Sequence, residues 1–127
     1  KYDRQIRKRL KEVKMYLWED KNYMIVPAAK CEELMREGRA LHHCVGASDT
    51  YMKRMAAGTS WILFLRRKED PEEPYYTIEI DVKEDGILQW YSEYDRKPDR
   101  GKIEKVLKKF KESVKRKRAQ EAKQEIA

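Results

Sequence analysis

The sequence is poor in cysteine, in apolar residues and in long apolar runs. Only two of its 127 residues are cysteine, and the mean hydropathy is -1.00. The longest apolar run, 61–65, is far shorter than the ~18 residues that a membrane-spanning helix needs. Two cysteines in such a chain are more often free thiols than a disulfide. We therefore expect a cytoplasmic protein that does not contact a membrane.

Aromatic residues compensate for the shortage of aliphatic ones. There are three Trp, eight Tyr and two Phe, and each buried aromatic side chain covers roughly 150–250 Å². Charged residues make up 42% of the chain. A chain of 127 residues is long enough for one hydrophobic core. We predict one domain over 1–127, with a thin aromatic core and long charged helices around it.

Positive charge is concentrated towards the two ends of the chain. The net charge is +7; residues 1–14 contain seven Lys/Arg and two Asp/Glu, and residues 101–118 contain nine Lys/Arg and two Glu. This distribution is typical of proteins that bind a phosphate backbone, although Lys and Arg also cover ordinary solvated helix faces. The sequence therefore predicts DNA or RNA as a partner. The candidate phosphate contacts are Arg4, Arg7, Lys8, Lys11, Lys14, Arg96, Arg100, Lys108, Lys109, Lys115, Arg116, Lys117 and Arg118.

Apolar residues at helical spacing predict four helices. Three of them cover 2–19, 28–36 and 50–57, and Gly38 is the predicted C-cap of the second. The fourth has an apolar stripe that ends at Val114, after which the chain is polar. The predicted organisation is a basic N-terminal helix (1–19), a core (20–114) and a polar, flexible tail (115–127).

Four segments have the composition of β-strands. The short run 23–26 is a strand or an extended lead-in, and strands are predicted over 60–67, 75–82 and 87–93. The Asp85-Gly86 pair is typical of a hairpin turn between the last two. The predicted fold class is therefore α+β, with a small antiparallel sheet of about three strands in a meander and helices packed on one face.

The stretch 41–46 contains both histidines of the chain and one of its cysteines. His42, His43 and Cys44 are candidate catalytic residues, because imidazole transfers protons and a thiolate is a nucleophile. Adjacent side chains point in different directions, so a catalytic Cys44 needs a base from elsewhere. Two alternatives stay open: a structural role, and a zinc site that adds Cys31 without the usual close spacing. Apart from that alternative, we expect no metal or cofactor.

Three strand residues, Arg66, Glu79 and Gln89, are candidate partners of the motif. Alternation allows them to share one sheet face near it. Histidine as acid or base, glutamate as orienting group and arginine as phosphate clamp suit a nuclease-like or transferase-like site. A solvated position for Glu79 and a surface ion pair for Arg66 are the structural alternatives.

A cluster of aromatic and basic residues follows the last strand: Trp90, Tyr91, Tyr94, Arg96 and Arg100. Aromatic rings interleaved with arginine stack on unpaired bases and hold phosphates. The alternative interpretation is a hydrophobic sheet face, in which at least one of these rings belongs to the core.

The segment 37–46, Glu-Gly-Arg-Ala-Leu-His-His-Cys-Val-Gly, resembles the PcfJ-like proteins of conjugative plasmids, mobile elements and phages. The similarity covers about 33–98. Ser92 and Asp95 depart from it, because the family pattern has Gly and Asn there. The pattern continues at Tyr51, Leu65-Arg66, Thr77-Ile78-Glu79, Gln89 and Asp95-Arg96-Lys97-Pro98.

The resemblance implies a setting of mobile elements and DNA transfer, and it implies no settled biochemical activity. Combined with the charge distribution, it predicts a nucleic-acid-associated accessory module that binds the phosphate backbone through its basic terminal helices. Two alternatives are an enzyme centred on the His/Cys motif and a protein-binding module. The latter would dock onto a transfer complex or inhibit a partner such as a host defence complex.

Overall fold

The computed structural model describes residues 1–126. Within them, no helix is long and apolar enough to cross a membrane. Turns of 3-10 helix lie at Lys14–Tyr16, Cys44–Gly46 and Glu93–Asp95. The helices are α1 (Asp3–Lys8), α2 (Leu10–Val13), α3 (Cys31–Leu41), α4 (Thr50–Ala57) and α5 (Arg100–Ile126). The strands are β1 (Trp18–Glu19), β2 (Tyr23–Pro27), β3 (Ser60–Arg67), β4 (Tyr76–Asp81) and β5 (Ile87–Tyr91).

The sheet confirms the predicted α+β class but contains five strands rather than about three. Each strand pairs antiparallel with the next one in the chain, in the order β1-β2-β3-β4-β5. β1 is only two residues long, which is too short to show an alternating pattern. Its pairing of Trp18 with Ile25 and of Glu19 with Met24 therefore becomes visible only in the folded chain.

Helices cover both faces of the sheet, whereas the sequence predicted them on one face. Residues that lie opposite each other in antiparallel strands point to the same face. The face that carries Ile78 and Trp90 packs against the apolar stripe of α5. The opposite face, which carries Arg66, Thr77 and Glu79, contacts α3 and α4. This second face combines buried apolar side chains, Ile62 and Phe64, with buried polar ones. The polar side chains are paired with residues of the helices.

The N-terminal segment consists of two short helices and a 3-10 turn, not of one helix over 2–19. The backbone leaves helical geometry at Arg9 and again after Tyr16. Arg9 Nε donates a hydrogen bond to the carbonyl oxygen of Ala56 at 2.9 Å. The buried Tyr16 hydroxyl donates to Asp85 at 2.6 Å. Both contacts join the N-terminal segment to residues far along the chain. The spacing of apolar residues within the segment could not predict them.

Helix α3 continues past Gly38, the predicted C-cap, and ends at His42. His42 adopts the left-handed conformation (φ 52°, ψ 48°) that commonly terminates a helix. Gly38 lies inside the helix, where a Cβ atom would approach the backbone of His43 and Gly46 to 3.1 Å. The prediction that Gly38 is a C-cap was wrong. This glycine allows the His/Cys motif to pack closely against α3 and does not end the helix.

The sequence predicted a flexible tail over 115–127; residues 115–126 continue α5, and Ala127 lies outside the described residues. Lys117 Nζ donates to two backbone carbonyl oxygens of the N-terminal segment, at 2.7 and 3.2 Å. Arg118 binds the Asp85 carboxylate through two nitrogens, at 2.8 and 2.9 Å. Both side chains lie three or four residues after Val114, on the buried side of the helix. Beyond Val114, polar contacts of Lys117 and Arg118 therefore hold α5 against the rest of the domain.

Candidate functional site

A buried carboxylate, Glu37 of α3, lies over the second sheet face. Its side chain is 1% exposed, and its two oxygens accept hydrogen bonds from Arg66 at 2.5 and 3.1 Å. The Thr77 hydroxyl donates to the same carboxylate at 2.9 Å. Burial raises the pKa of Glu37, against the lowering effects of Arg66 and Thr77. Together with His43, these residues form what we call the Glu37 cluster.

His43 joins this cluster through Thr77. The Thr77 hydroxyl donates its proton to Glu37, so the 2.9 Å contact between its oxygen and His43 requires His43 Nε2–H as donor. The other ring nitrogen, Nδ1, accepts a hydrogen bond from the backbone N–H of Val45. Burial lowers the pKa of His43, and the ring packs edge-on against Tyr91 at 4.8 Å. His43 is therefore a neutral imidazole with both nitrogens engaged, and neither is free to act as a base.

Replacing His43 by glutamine is expected to weaken the pH dependence of stability. Because burial lowers the pKa of His43 in the fold, the unfolded chain, with a pKa of about 6.5 for histidine, binds the proton more readily. The stability contributed by neutral His43 is present above about pH 6.5 and is lost as the pH falls towards the folded pKa. Glutamine retains a donor for Thr77 but does not titrate.

Urea unfolding between about pH 7.5 and about pH 5.5 measures this effect. His42→Asn is the control, because the His42 side chain is 53% exposed and asparagine tolerates its positive φ of 52°. Across this range the His43 variant should lose less stability than wild type and the His42 variant. Equal losses in all three proteins would contradict a buried neutral His43.

A second buried carboxylate, Glu79 of β4, organises the neighbouring part of this face. Its side chain is 3% exposed. It accepts hydrogen bonds from Arg54 at 2.8 Å, from Ser60 at 2.6 Å and from Gln89 at 2.9 Å. Gln89 Nε2 also donates to the Tyr51 hydroxyl at 3.1 Å. This Glu79 cluster ties α4 to β3, β4 and β5, and it leaves the carboxylate well satisfied.

The other two residues of the motif point away from both clusters. The half-exposed His42 ring stacks on Tyr94, with centroids 4.7 Å apart and planes 3° from parallel. Its Nδ1 lies 3.7 Å from a carboxylate oxygen of Glu93. Cys44 is exposed to solvent. His42, His43 and Cys44 therefore diverge, as expected for adjacent residues.

The residues of the alternative zinc site, Cys31, Cys44 and a histidine, do not form a metal site in the described residues. Cys31 begins α3, and Cys44 lies in the 3-10 turn that follows its end. Both are free thiols, and among residues 1–126 no three His, Cys, Asp or Glu side chains are placed to hold a metal ion. Burial and the nearby Asp3 raise the pKa of Cys31 to about 11, which makes it a poor nucleophile.

The predicted partners Arg66, Glu79 and Gln89 do share one sheet face, and His43 lies against it. Five further side chains complete the two clusters and were not among the predicted site residues: Glu37, Tyr51, Arg54, Ser60 and Thr77. Glu37, Tyr51 and Thr77 had a visible signal, because they belong to the PcfJ-like pattern. Glu37 also occupies a position of the buried stripe of α3 between Leu34 and Leu41.

A basic groove of about 730 Å³ lies between α5 and the end of the sheet at which β2 begins and β3 ends. Arg67 contributes a buried Nε that has no hydrogen-bond partner within residues 1–126, and its guanidinium stacks over Tyr75 at 4.2 Å. Two acidic residues, Asp20 and Glu69, also line the groove. Its six basic side chains are Lys21, Arg67, Lys68, Lys102, Lys105 and Lys109.

Of these six, only Lys109 was among the predicted phosphate contacts. Lys102, Lys105 and Lys109 share a helix face because their spacing is three and four residues. The predicted Lys117 and Arg118 bind other parts of the chain instead. The following predicted contacts are exposed: Arg4, Arg7, Lys8, Lys11, Lys14, Arg96, Arg100, Lys108, Lys109, Lys115 and Arg116.

The sheet with helices on both faces, the two buried polar clusters and the basic groove define a small α+β domain with a basic surface. The chain belongs to the PcfJ-like family: the family model described as PcfJ-like protein matches residues 1–107. This match confirms the resemblance indicated by the motif.

The chain is also similar to the uncharacterized protein Lin1253/Lin1744 of Listeria innocua serovar 6a, with 40% identity over 58 residues. That similarity covers 46% of this chain and 13% of the relative, so the chain spans a small part of the relative's length. No solved structure matches the chain.

Proposed function

We propose that this protein is a nucleic-acid-associated accessory module of a mobile genetic element, and that it binds the phosphate backbone through its basic surface. The observation that carries the proposal is the basic groove, in which six cationic side chains face two acidic ones. Membership of the PcfJ-like family supports the mobile-element setting.

The groove has the features that a phosphate chain requires. Lys102, Lys105 and Lys109 lie along one exposed helix face, which at 1.5 Å per residue spans about 10 Å. Lys68 is partly neutralised by Glu19 at 3.4 Å, whereas the buried Nε of Arg67 still lacks an acceptor within residues 1–126. That nitrogen is closed to solvent, but the Arg67 side chain as a whole is partly exposed, and a guanidinium is well suited to bind phosphate oxygens.

The enzymatic alternative has less support. It needs a base at the His/Cys motif, but His43 uses both ring nitrogens in hydrogen bonds. Glu37 and Glu79 are satisfied by arginines, hydroxyls and an amide. We therefore assign these clusters a structural role, in which they hold the motif and α4 on the sheet.

Reversing the charge of Lys102, Lys105 and Lys109 together is expected to weaken nucleic-acid binding and reduce its salt dependence. Each lost lysine–phosphate contact should lower the slope of log K against log salt by about 1, so the triple variant should lose about 3. Fluorescence anisotropy with duplex DNA, single-stranded DNA and RNA between about 50 and 200 mM salt measures both quantities.

The matched control carries the same charge change at lysines outside the groove, Lys53→Glu, Lys83→Glu and Lys123→Glu. This variant should keep the steeper slope. Equal slopes in the two variants would place the binding outside the groove. Binding that is micromolar or weaker and independent of salt would overturn the proposed function.

A further inference from the structure

A second hollow, of about 470 Å³, lies along β5 next to the His/Cys motif. Its volume is within the range of about 300–1,000 Å³ that small-molecule sites occupy. Aromatic rings and hydrogen-bonding groups alternate along its walls, which suits a planar ring with a polar edge. We call it the β5 hollow; its walls include Tyr51, Gln89, Trp90, Tyr91, Asp95 and Lys97.

The β5 hollow opens along the edge of the sheet. β5 is the last strand, and within residues 1–126 no further strand pairs with its outer side. Leu88 and Tyr94 beside the hollow are 58% and 55% exposed. An extended chain can therefore approach from solvent along this edge without displacing any part of the fold.

The polar groups of the hollow favour a base over a phosphate. The Asp95 carboxylate repels a phosphate but accepts hydrogen bonds from the amino groups of a base. Gln89 Nε2 is committed to Glu79 and Tyr51, which leaves the side-chain carbonyl oxygen of Gln89 as a further acceptor. The hollow thus offers acceptors to the N–H edge of a nucleobase.

Two rings at the rim, Trp90 and Tyr94, each carry a side chain on one face, and a base would displace that side chain in order to stack there. His42 lies flat on Tyr94 with planes only 3° apart, and the Arg96 guanidinium lies 5.6 Å from the centre of the Tyr94 ring. The Lys97 ammonium lies 4.2 Å above the centre of the Trp90 ring. Stacking of a planar group on an aromatic ring, with a cation close by, is the arrangement that binds unpaired bases.

A neighbouring hollow of about 740 Å³ offers lysine side chains to the phosphates. It shares Ile87 and Trp90 with the β5 hollow and continues along α5 past Lys108, Lys111 and Lys115. Two of its four acidic side chains are already paired with arginines. A strand whose base enters the β5 hollow therefore places its neighbouring phosphates beside lysines of α5.

We infer that the β5 hollow binds an unpaired base of single-stranded nucleic acid, whose adjoining phosphates lie against α5. The inference rests on the proposed function and narrows its ligand from nucleic acid in general to the single-stranded form. A base held in a duplex has both of its ring faces covered by neighbours, and it cannot stack on Trp90 or Tyr94.

The test compares Tyr94→Asn and Trp90→Leu with wild type in anisotropy titrations against single-stranded DNA, single-stranded RNA and a duplex of the same sequence. Asparagine is chosen because Tyr94 has a positive φ of 54°, which asparagine tolerates. Each variant should lose roughly 5- to 150-fold in affinity for single strands, the loss expected for one stacked base. Affinity for the duplex and its salt slope should not change.

Leu17→Asn is the matched control, because Leu17 is 54% exposed and outside the residues that line the hollow. Tyr94→Asn keeps the test decisive if Trp90→Leu fails to fold. Salt-dependent binding with equal losses for single strands and duplex would overturn the inference and leave the proposed function standing. Absence of salt-dependent binding to every probe would overturn both. The DNA and RNA arms show which single strand is preferred.

Discussion

Replacing Gly46 by alanine is expected to destabilise the protein by about 3 kcal/mol or more, the upper end of overpacking effects. A Cβ atom on Gly46 would lie 2.6 Å from the carbonyl oxygen of Leu34 and 2.6 Å from Cα of Met35. Both are backbone atoms of α3, which cannot move aside as the end of a flexible side chain can. The helix would have to shift away from the motif, and His43 would lose its contact with Thr77.

Urea unfolding followed by far-UV circular dichroism measures the loss. Gly86→Ala is the matched control, because no heavy atom within residues 1–126 lies within 4 Å of the Cβ added there. It should be neutral or stabilising by up to about 1 kcal/mol, since alanine restricts the unfolded chain. If the two variants had the same stability, the close approach between the motif and α3 would be refuted.

Replacing Arg66 by alanine is expected to cost about 3–5 kcal/mol, because it leaves the Glu37 carboxylate buried without its cation. Glu37 is 1% exposed, and Arg66 binds both of its oxygens. The double variant Glu37→Leu with Arg66→Met should be more stable than Arg66→Ala, since it buries no unpaired charge. Thermal and urea unfolding at about pH 7 provide the comparison.

The deficit of Arg66→Ala should shrink at acidic pH. Burial already raises the pKa of Glu37, and loss of the guanidinium raises it further. A raised folded pKa favours the fold fully below the unfolded value of about 4.3, and this contribution is lost as the pH rises through the folded pKa. Arg66→Ala should therefore be closest to wild type near pH 4 and furthest from it at neutral pH.

The exposed pair of Arg100 and Glu104, at 3.2 Å, supplies the control for this second prediction. Arg100→Ala should change stability by no more than about 0.5 kcal/mol, as is usual for solvent-exposed pairs four residues apart. A loss of similar size for Arg66→Ala and Arg100→Ala would mean that the Glu37 carboxylate is reached by water.

Local patterns predicted much of the sheet and part of the candidate site. Alternation along β4 and the short connection to β5 placed Glu79 and Gln89 on one face, and the structure pairs them directly. Arg66 follows the same alternation on β3. These predictions succeeded because a side-chain period of two and a tight turn leave few possible registers.

Other features had no local signature. β1 is too short for a pattern, and the end of α5 is held by Lys117 and Arg118, which read as part of a polar tail. Glu37 interrupts an apolar stripe, yet its partner Arg66 lies 29 residues away. Hydrogen bonds and ion pairs between distant residues depend on geometry that spacing along the chain does not specify.

The sequence by itself determined the α+β class, the PcfJ-like motif and the accumulation of positive charge towards both ends. Tertiary structure alone decided that His43 turns inward as a neutral imidazole while Cys44 faces solvent. It also decided that Lys21 and Arg67 join three lysines of α5 in one groove. The reason is physical: periodicity reports which side of an element is buried, whereas the partner met on that side is known only once the elements pack.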